Sequence, residues 1–239
     1  MNGKSRETQL SPRVAIVGAL IVTVGLGFVS DLLFVATLQL RPDWFADPAL
    51  LVGGGTGSAE LLKWAALADL FSYYLPTSVV ALALWAGLRG RRPLVAVVAL
   101  VGALGYVSAG SIGAASLAMA GPPLIREYAQ PGADQPAIAA AFGLLTDVVF
   151  RALWQVIDGI YVAVWVIGIG VLVRTDQPGF ARLSWTLGAL FLVGVAFNVL
   201  DVGLARDATL GVVFIAWFAW DIWLAALVWR RRSPFDEMG

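Results

Sequence analysis

Apolar residues run along the chain in six long stretches that polar side chains interrupt but do not pattern. They show neither the alternation of a half-buried strand nor the single apolar stripe of a helix lying on a soluble core. A bilayer-crossing helix needs about 20 mostly apolar residues at 1.5 Å each. The stretches therefore predict an all-α, polytopic transmembrane bundle with spans at 14–40, 60–88, 94–120, 137–173, 183–204 and 208–229. The whole of 1–239 reads as one integral membrane domain. The fourth run is too long for a perpendicular span, so it tilts or leaves its first turns, Pro136 to Phe142, at or above the interface. The first run is too long for a signal-peptide core, and no small-x-small cleavage pattern closes it.

Basic residues alternate between the connecting segments. Lys4, Arg6, Arg13, Arg89, Arg91, Arg92, Arg174, Arg182, Arg230, Arg231 and Arg232 fall on one side. Arg41, Lys63, Arg126 and Arg206 fall on the other. By the positive-inside rule both termini are expected in the cytoplasm (N-in/C-in). The turns at 89–93 and 175–179 are short and hold Gly90, Pro93, Pro178 and Gly179, as joints between antiparallel neighbours require. Longer loops are expected outside, near 41–59 and 121–136, with Pro42, Pro48, Pro122, Pro123 and Pro131. Trp44 and Trp64 are placed as interfacial anchors. The run Gly53-Gly54-Gly55-Thr56-Gly57-Ser58 lacks the lysine of a phosphate loop and follows no strand. It reads as a flexible loop whose Ser58 caps the second span.

Composition narrows the chemistry. The chain is 59% hydrophobic and 13% charged, with a mean hydropathy of +0.82, which excludes a soluble enzyme and a disordered tail. The charges balance at sixteen basic and sixteen acidic residues, so no basic field exists to draw in nucleic acid. Neither cysteine nor histidine is present, which removes thiolate and imidazole chemistry, disulfides and the usual metal ligands. No enzymatic activity and no cofactor is expected. The segment from Asp201 to Arg206 is near the Asp-Gly-x-x-Ala-Arg opening of CDP-alcohol phosphotransferases, but Gly203 stands one place late and the later aspartates are missing. Asn198 and Asp201 lack the second aspartate-rich motif of membrane prenyltransferases, and no Gly-x-Gly-Asp of an intramembrane aspartyl protease occurs.

What remains is carboxylate within apolar runs, where charge is costly and normally faces the bundle interior. Asp31, Asp69, Asp147, Asp158, Asp201 and Asp221 all fall there, against a single cation, Arg151. Counted at 1.5 Å per residue from the cytoplasmic end, Asp31, Asp69, Asp158, Asn198 and Asp201 lie roughly 22–28 Å up, in the outer half. Asp221 lies lower, at roughly 12 Å. On an α-helix Asp147, Arg151, Gln155 and Asp158 form one stripe, with Asp147 placed to pair with Arg151. Asn198 shares a face with Asp201, and Asp69 shares one with Ser72, Tyr73 and Pro76, whose ring predicts a kink. Trp217, Trp220 and Trp223 flank Asp221, an arrangement suited either to an organic cation or to a protonated acid bonded to a neighbouring helix. The third span carries Gly102, Gly105, Gly110 and Gly113 among serines and alanines, and reads as the central packing helix.

Two readings follow. In the first, carboxylates outnumber Arg151 and line an acidic, outward-opening cavity that binds or transports a small cation, proton or small polar ligand. In the second, Arg151 is a hub that fixes helix register in a non-catalytic accessory or scaffold protein. Residues 27–40 and 143–156 also align without gaps, sharing Gly27/Gly143, Asp31/Asp147, Phe34/Phe150 and Gln39/Gln155, a hint of inverted halves.

Glu60, Lys63, Trp64, Asp69 and Trp85 on the second span, with Gly159, Tyr161, Gly170, Arg174, Gly179, Arg182, Gly188 and Asp201 on the fourth-to-fifth hairpin, give a further pointer. In these segments, about half its length, the chain resembles a bacterial family of small multi-pass membrane proteins known only as a domain of unknown function. It departs from that family in having no histidine on the fourth span. The resemblance implies six helices and a bacterial cell (inner) membrane, and supplies no activity. The lipid bilayer is the one partner the sequence calls for outright.

Overall fold

The computed structural model describes residues 11–39, 41 and 47–236. Among these there is no strand, and six helices are long and apolar enough to cross a membrane: α1 (Pro12–Thr37), α2 (Pro48–Leu88), α3 (Pro93–Tyr128), α4 (Gln135–Val173), α5 (Pro178–Val199) and α6 (Gly203–Trp229). Lys4, Arg6, Pro42 and Trp44, named above for sidedness and anchoring, lie outside the described residues.

Local chemistry sets the helix starts. Proline occupies the first or second position of every helix but α6, where its missing N–H costs nothing and its fixed φ suits the first turn. Ser11, Asp47 and Asp134 cap α1, α2 and α4 by accepting bonds from Val14, Ala49 and Ala137. The expected loop at 41–59 is shorter than its glycines suggest. A 3₁₀ turn at Pro48–Gly54 runs straight into the helix, so Ser58 does not cap it. Instead the Ser58 hydroxyl donates to the Thr37 carbonyl and accepts from the Gln39 amide, tying α2 to the end of α1. α5 ends at Val199, not near 204, because Asp201 takes a left-handed conformation (φ 56°). The Val202 N–H then closes back on the Phe197 carbonyl, as in a Schellman turn.

Two spans are not regular α-helices. In α2, residues Leu70–Tyr74 form a π turn in which the Leu75 N–H reaches the Leu70 carbonyl, five residues back. Pro76 explains it: its ring has no N–H for the Ser72 carbonyl and crowds it, so the helix widens just before the ring. In α4, Asp147–Ile157 is a longer π segment, closed by the Asp158 N–H on the Leu153 carbonyl.

The helices pack through small residues on α3. A methyl group at Gly102 would stand 2.7 Å from the Trp165 nitrogen and 2.8 Å from the Tyr161 carbonyl, so here the α3 and α4 backbones meet directly. Farther along, Gly110 receives the ring of Tyr74 and Gly113 the ring of Trp154. α3 is thus the central packing helix, and its glycines seat aromatic rings. At 36 residues it is about 54 Å long, well beyond a hydrocarbon core of about 30 Å. With α2 and α4 it extends past the shorter helices at the end away from the termini, here called the far end. A second apolar core of Leu51, Leu62, Leu117, Ile125, Ile138 and Phe142 fills this extension.

The terminal end is tied by polar contacts. Arg91, between α2 and α3, pairs with Asp176, between α4 and α5, and the Ser233 hydroxyl donates to the same carboxylate at 2.8 Å. The Arg91 hydrogen bond, helped by Ser233 and Thr175, holds the Asp176 carboxyl down at about 2. A carboxyl lowered in the folded state adds stability above its unfolded pKa, and that stability fades as pH falls from about 4 through about 2. Wild type should therefore lose its thermal-midpoint advantage over Asp176→Asn across that window. Unfolding scans in detergent at stepped pH will measure it, and a gap unchanged down to about pH 2 would show that the pair does not act this way.

Candidate functional site

A cavity of about 290 Å³ draws on all six helices. Its polar groups are Asp31 from α1, Asp69, Tyr73 and Tyr74 from α2, Tyr106 from α3 and Asp158 from α4. Its apolar walls include Phe34, Trp154, Val162, Phe191, Leu210, Val213, Phe214 and Trp217. Among the described residues no lysine or arginine lines it.

The π turn in α2 builds the centre of this site. Consecutive tyrosines reach opposite sides: the Tyr73 hydroxyl donates to Asp31 at 3.0 Å and the Tyr74 hydroxyl to Asp158 at 3.4 Å. The Tyr73 ring rests against Gly27 of α1, and the Tyr74 ring lies between Gly110 and Tyr106, with ring centroids 5.0 Å apart. Asp69 and Asp158 are 8% and 4% exposed, and one oxygen of each, Oδ2 and Oδ1 respectively, has no hydrogen-bond partner. Two under-satisfied carboxylates at membrane depth demand a proton, a cation or water, since a bare buried charge there is costly.

The π segment in α4 explains which acids enter. Over the eleven residues from Asp147 to Asp158 an α-helix ends about 20° from where it began. A π-helix of about 4.4 residues per turn ends about half a turn away. Accordingly Asp158 is buried in the cavity while Asp147 is exposed. The expected single stripe is therefore split. Arg151 pairs with Asp201 at 2.6 Å and not with Asp147. The Asn198 amide donates to the Arg151 carbonyl at 2.9 Å. Arg151, Asn198 and Asp201 thus form a separate tie between α4 and the end of α5, outside the cavity, and Arg151 does not set the cavity's charge. Gln155 lines a smaller recess beside the cavity, sharing Trp154 and Phe191 with it.

Asp221 is 2% exposed with Oδ2 unpartnered, yet it does not line the cavity. Trp217 does, and stacks on Trp220 at 5.9 Å, with Trp165 edge-on to both. Trp220 donates to Ser184 at 2.8 Å, and Trp223 is 42% exposed against Phe180. This indole cluster closes the cavity toward the terminal end. Toward the far end the expected outward opening is narrowed by three rings: Phe34 meets Phe150 at 6.4 Å and Trp154 at 6.0 Å, and those two meet at 4.9 Å.

The cavity residues named from sequence are Asp31, Asp69, Tyr73 and Asp158, with Trp217 in its floor. Tyr74, Tyr106, Phe34 and Trp154 were missed. The glycines at 110 and 113 carried a signal, since a ring is what such gaps accommodate. Among the described residues no group of three acidic side chains is close enough to hold a metal ion. No family model, curated protein or solved structure matches the chain.

Proposed function

We propose that this protein binds, and moves within the membrane, a small cationic or protonated ligand held by Asp31, Asp69 and Asp158. The observation that carries this is the imbalance of the cavity: three carboxylates and three tyrosines, with no basic side chain among the described residues that line it. A purely structural network would resemble the Arg151–Asp201–Asn198 tie, in which the one carboxylate is paired with a guanidinium and the Asn198 amide bonds the Arg151 carbonyl. The cavity leaves carboxylate oxygens open. Tyrosine and tryptophan faces add attraction for a cation without competing for the carboxylates. The chain works as a multi-pass protein of a bacterial inner membrane with both termini in the cytoplasm, as the loop arginines and its resemblance to the bacterial family imply. It acts by binding, without catalysis.

Thermal unfolding across pH and a panel of cations, wild type beside Asp158→Asn, tests this. A ligand specific to the folded state adds about 2.7 kcal/mol at a hundredfold excess over its Kd. Wild type should show a cation- or pH-dependent rise that Asp158→Asn lacks. A flat wild-type response, with the variant merely less stable, would leave the scaffold reading in its place.

A further inference from the structure

We infer that the cavity takes an amphipathic organic cation, a quaternary or protonated amine with an apolar tail, which enters sideways from the bilayer between α1 and α6. This rests on the binding function proposed above and specifies its ligand class and route.

Three sides of the cavity are shut. The indoles of Trp165, Trp217 and Trp220 form its floor, and Phe34, Phe150 and Trp154 cross it on the far-end side. Tyr73, Tyr74, Tyr106 and Val162 form its back wall and are buried. The two most exposed lining residues are on the remaining side, while Trp154 and Phe191 are half-buried. Leu210 and Phe214 of α6 are 37% and 43% exposed, and Asp31 and Phe34 of α1 are half-buried. α1 and α6 are joined at the terminal end, where the Arg13 guanidinium lies 5.2 Å from the Trp229 ring centre. At the far end α1 is held to α2 instead, through Ser30 to the Ala65 carbonyl and the Gln39–Ser58 bond. The two helices therefore flank a gap whose α6 edge is apolar, formed by Leu210 and Phe214.

A gap of this kind lies at the depth of the acyl chains, about 10 Å inside the end of α6 if Leu210 is counted from Gly203. A hydrated inorganic ion has no path there. An amine with a tail reaches it by partitioning into the membrane, leaves the tail among Leu210, Phe214 and lipid, and presents its charge to Asp31. The open oxygens of Asp69 and Asp158 lie deeper, and the aromatic walls suit an alkylammonium head better than a metal ion.

The test uses the full chain in lipid nanodiscs, with octyltrimethylammonium and tetramethylammonium as probes carrying the same permanent charge. Thermal stabilisation is read against probe concentration, with empty discs correcting for partition. The octyl probe should bind at least about tenfold more tightly than the tetramethyl one, as expected if a few methylenes are removed from water at the rim. Asp158→Asn and Asp69→Asn should each remove that binding. Leu210→Trp, which narrows the gap, should slow the octyl probe's association severalfold in stopped-flow tryptophan fluorescence. Equal or tighter binding of tetramethylammonium, or an association rate untouched by Leu210→Trp, overturns the lateral amphipathic class while leaving cation binding standing. No response to either probe, to pH or to inorganic cations overturns both.

Discussion

Gly110→Ala is expected to lower the thermal midpoint and to abolish any ligand or pH response together. The added methyl would stand 1.8 Å from Tyr74 Cε1, 2.2 Å from Cζ and 2.6 Å from Cδ1, a position no relaxation of the methyl itself can relieve. The ring has to leave. It is confined by Tyr106 at 5.0 Å and held through its hydroxyl to Asp158, so leaving costs packing and the hydrogen bond that Asp158 receives from it. Overpacking of this sort typically costs about 1–3 kcal/mol. Asp158 would then face the cavity with neither oxygen bonded, which alters binding as well as stability. Unfolding scans of Gly110→Ala with and without the octyl probe separate the two effects. An unchanged midpoint with intact binding would mean that Tyr74 does not need this seat.

Gly102→Ala should be more damaging to folding and should spare the site's chemistry only in what little protein folds. Here the obstacle is backbone, the Trp165 nitrogen at 2.7 Å and the Tyr161 carbonyl at 2.8 Å, so no side chain can turn aside. α3 and α4 would have to separate along their contact, for about 3 kcal/mol or more. Loss of the monodisperse peak on size exclusion, or a fall in midpoint larger than that of Gly110→Ala, is the expected result. Gly25→Ala is the control, because a methyl there meets nothing within 4 Å. It should be neutral or slightly stabilising through helix propensity. Equal behaviour of the 102 and 25 variants would remove the close α3–α4 approach as a cause of stability.

These positions also mark what could be read from the chain without its structure. The six spans were legible because a bilayer imposes a length and a polarity that no soluble fold imitates. Asp31, Asp69 and Asp158 were legible as interior groups for the same reason. The grouping of Asp147 and Arg151 with Asp158 was not, because it assumed 3.6 residues per turn through a segment that is π-helical. Nothing as local as Pro76 announces that segment. Asp201 was assigned to a span because apolar residues continue on both sides of it, whereas its left-handed backbone ends the helix. The same error of phase hid Tyr74: on an α-helix it stands about 140° round from Asp69, and the π turn reduces this to about 50°, bringing it to the cavity.

The cavity draws on every helix, whereas the far-end core draws mainly on α2, α3 and α4. Contacts among consecutive helices close early and at low entropic cost during synthesis, so the far-end core can assemble while the last two spans are still being made. The cavity cannot. Leu210, Val213, Phe214 and Trp217 belong to the final helix, so the floor and the α6 side of the gap come into being only when α6 docks. Whatever binds there acts as a clasp on that last step, and a bundle that has lost α6 retains a core and the three carboxylates but neither the floor nor the side wall that would enclose a ligand.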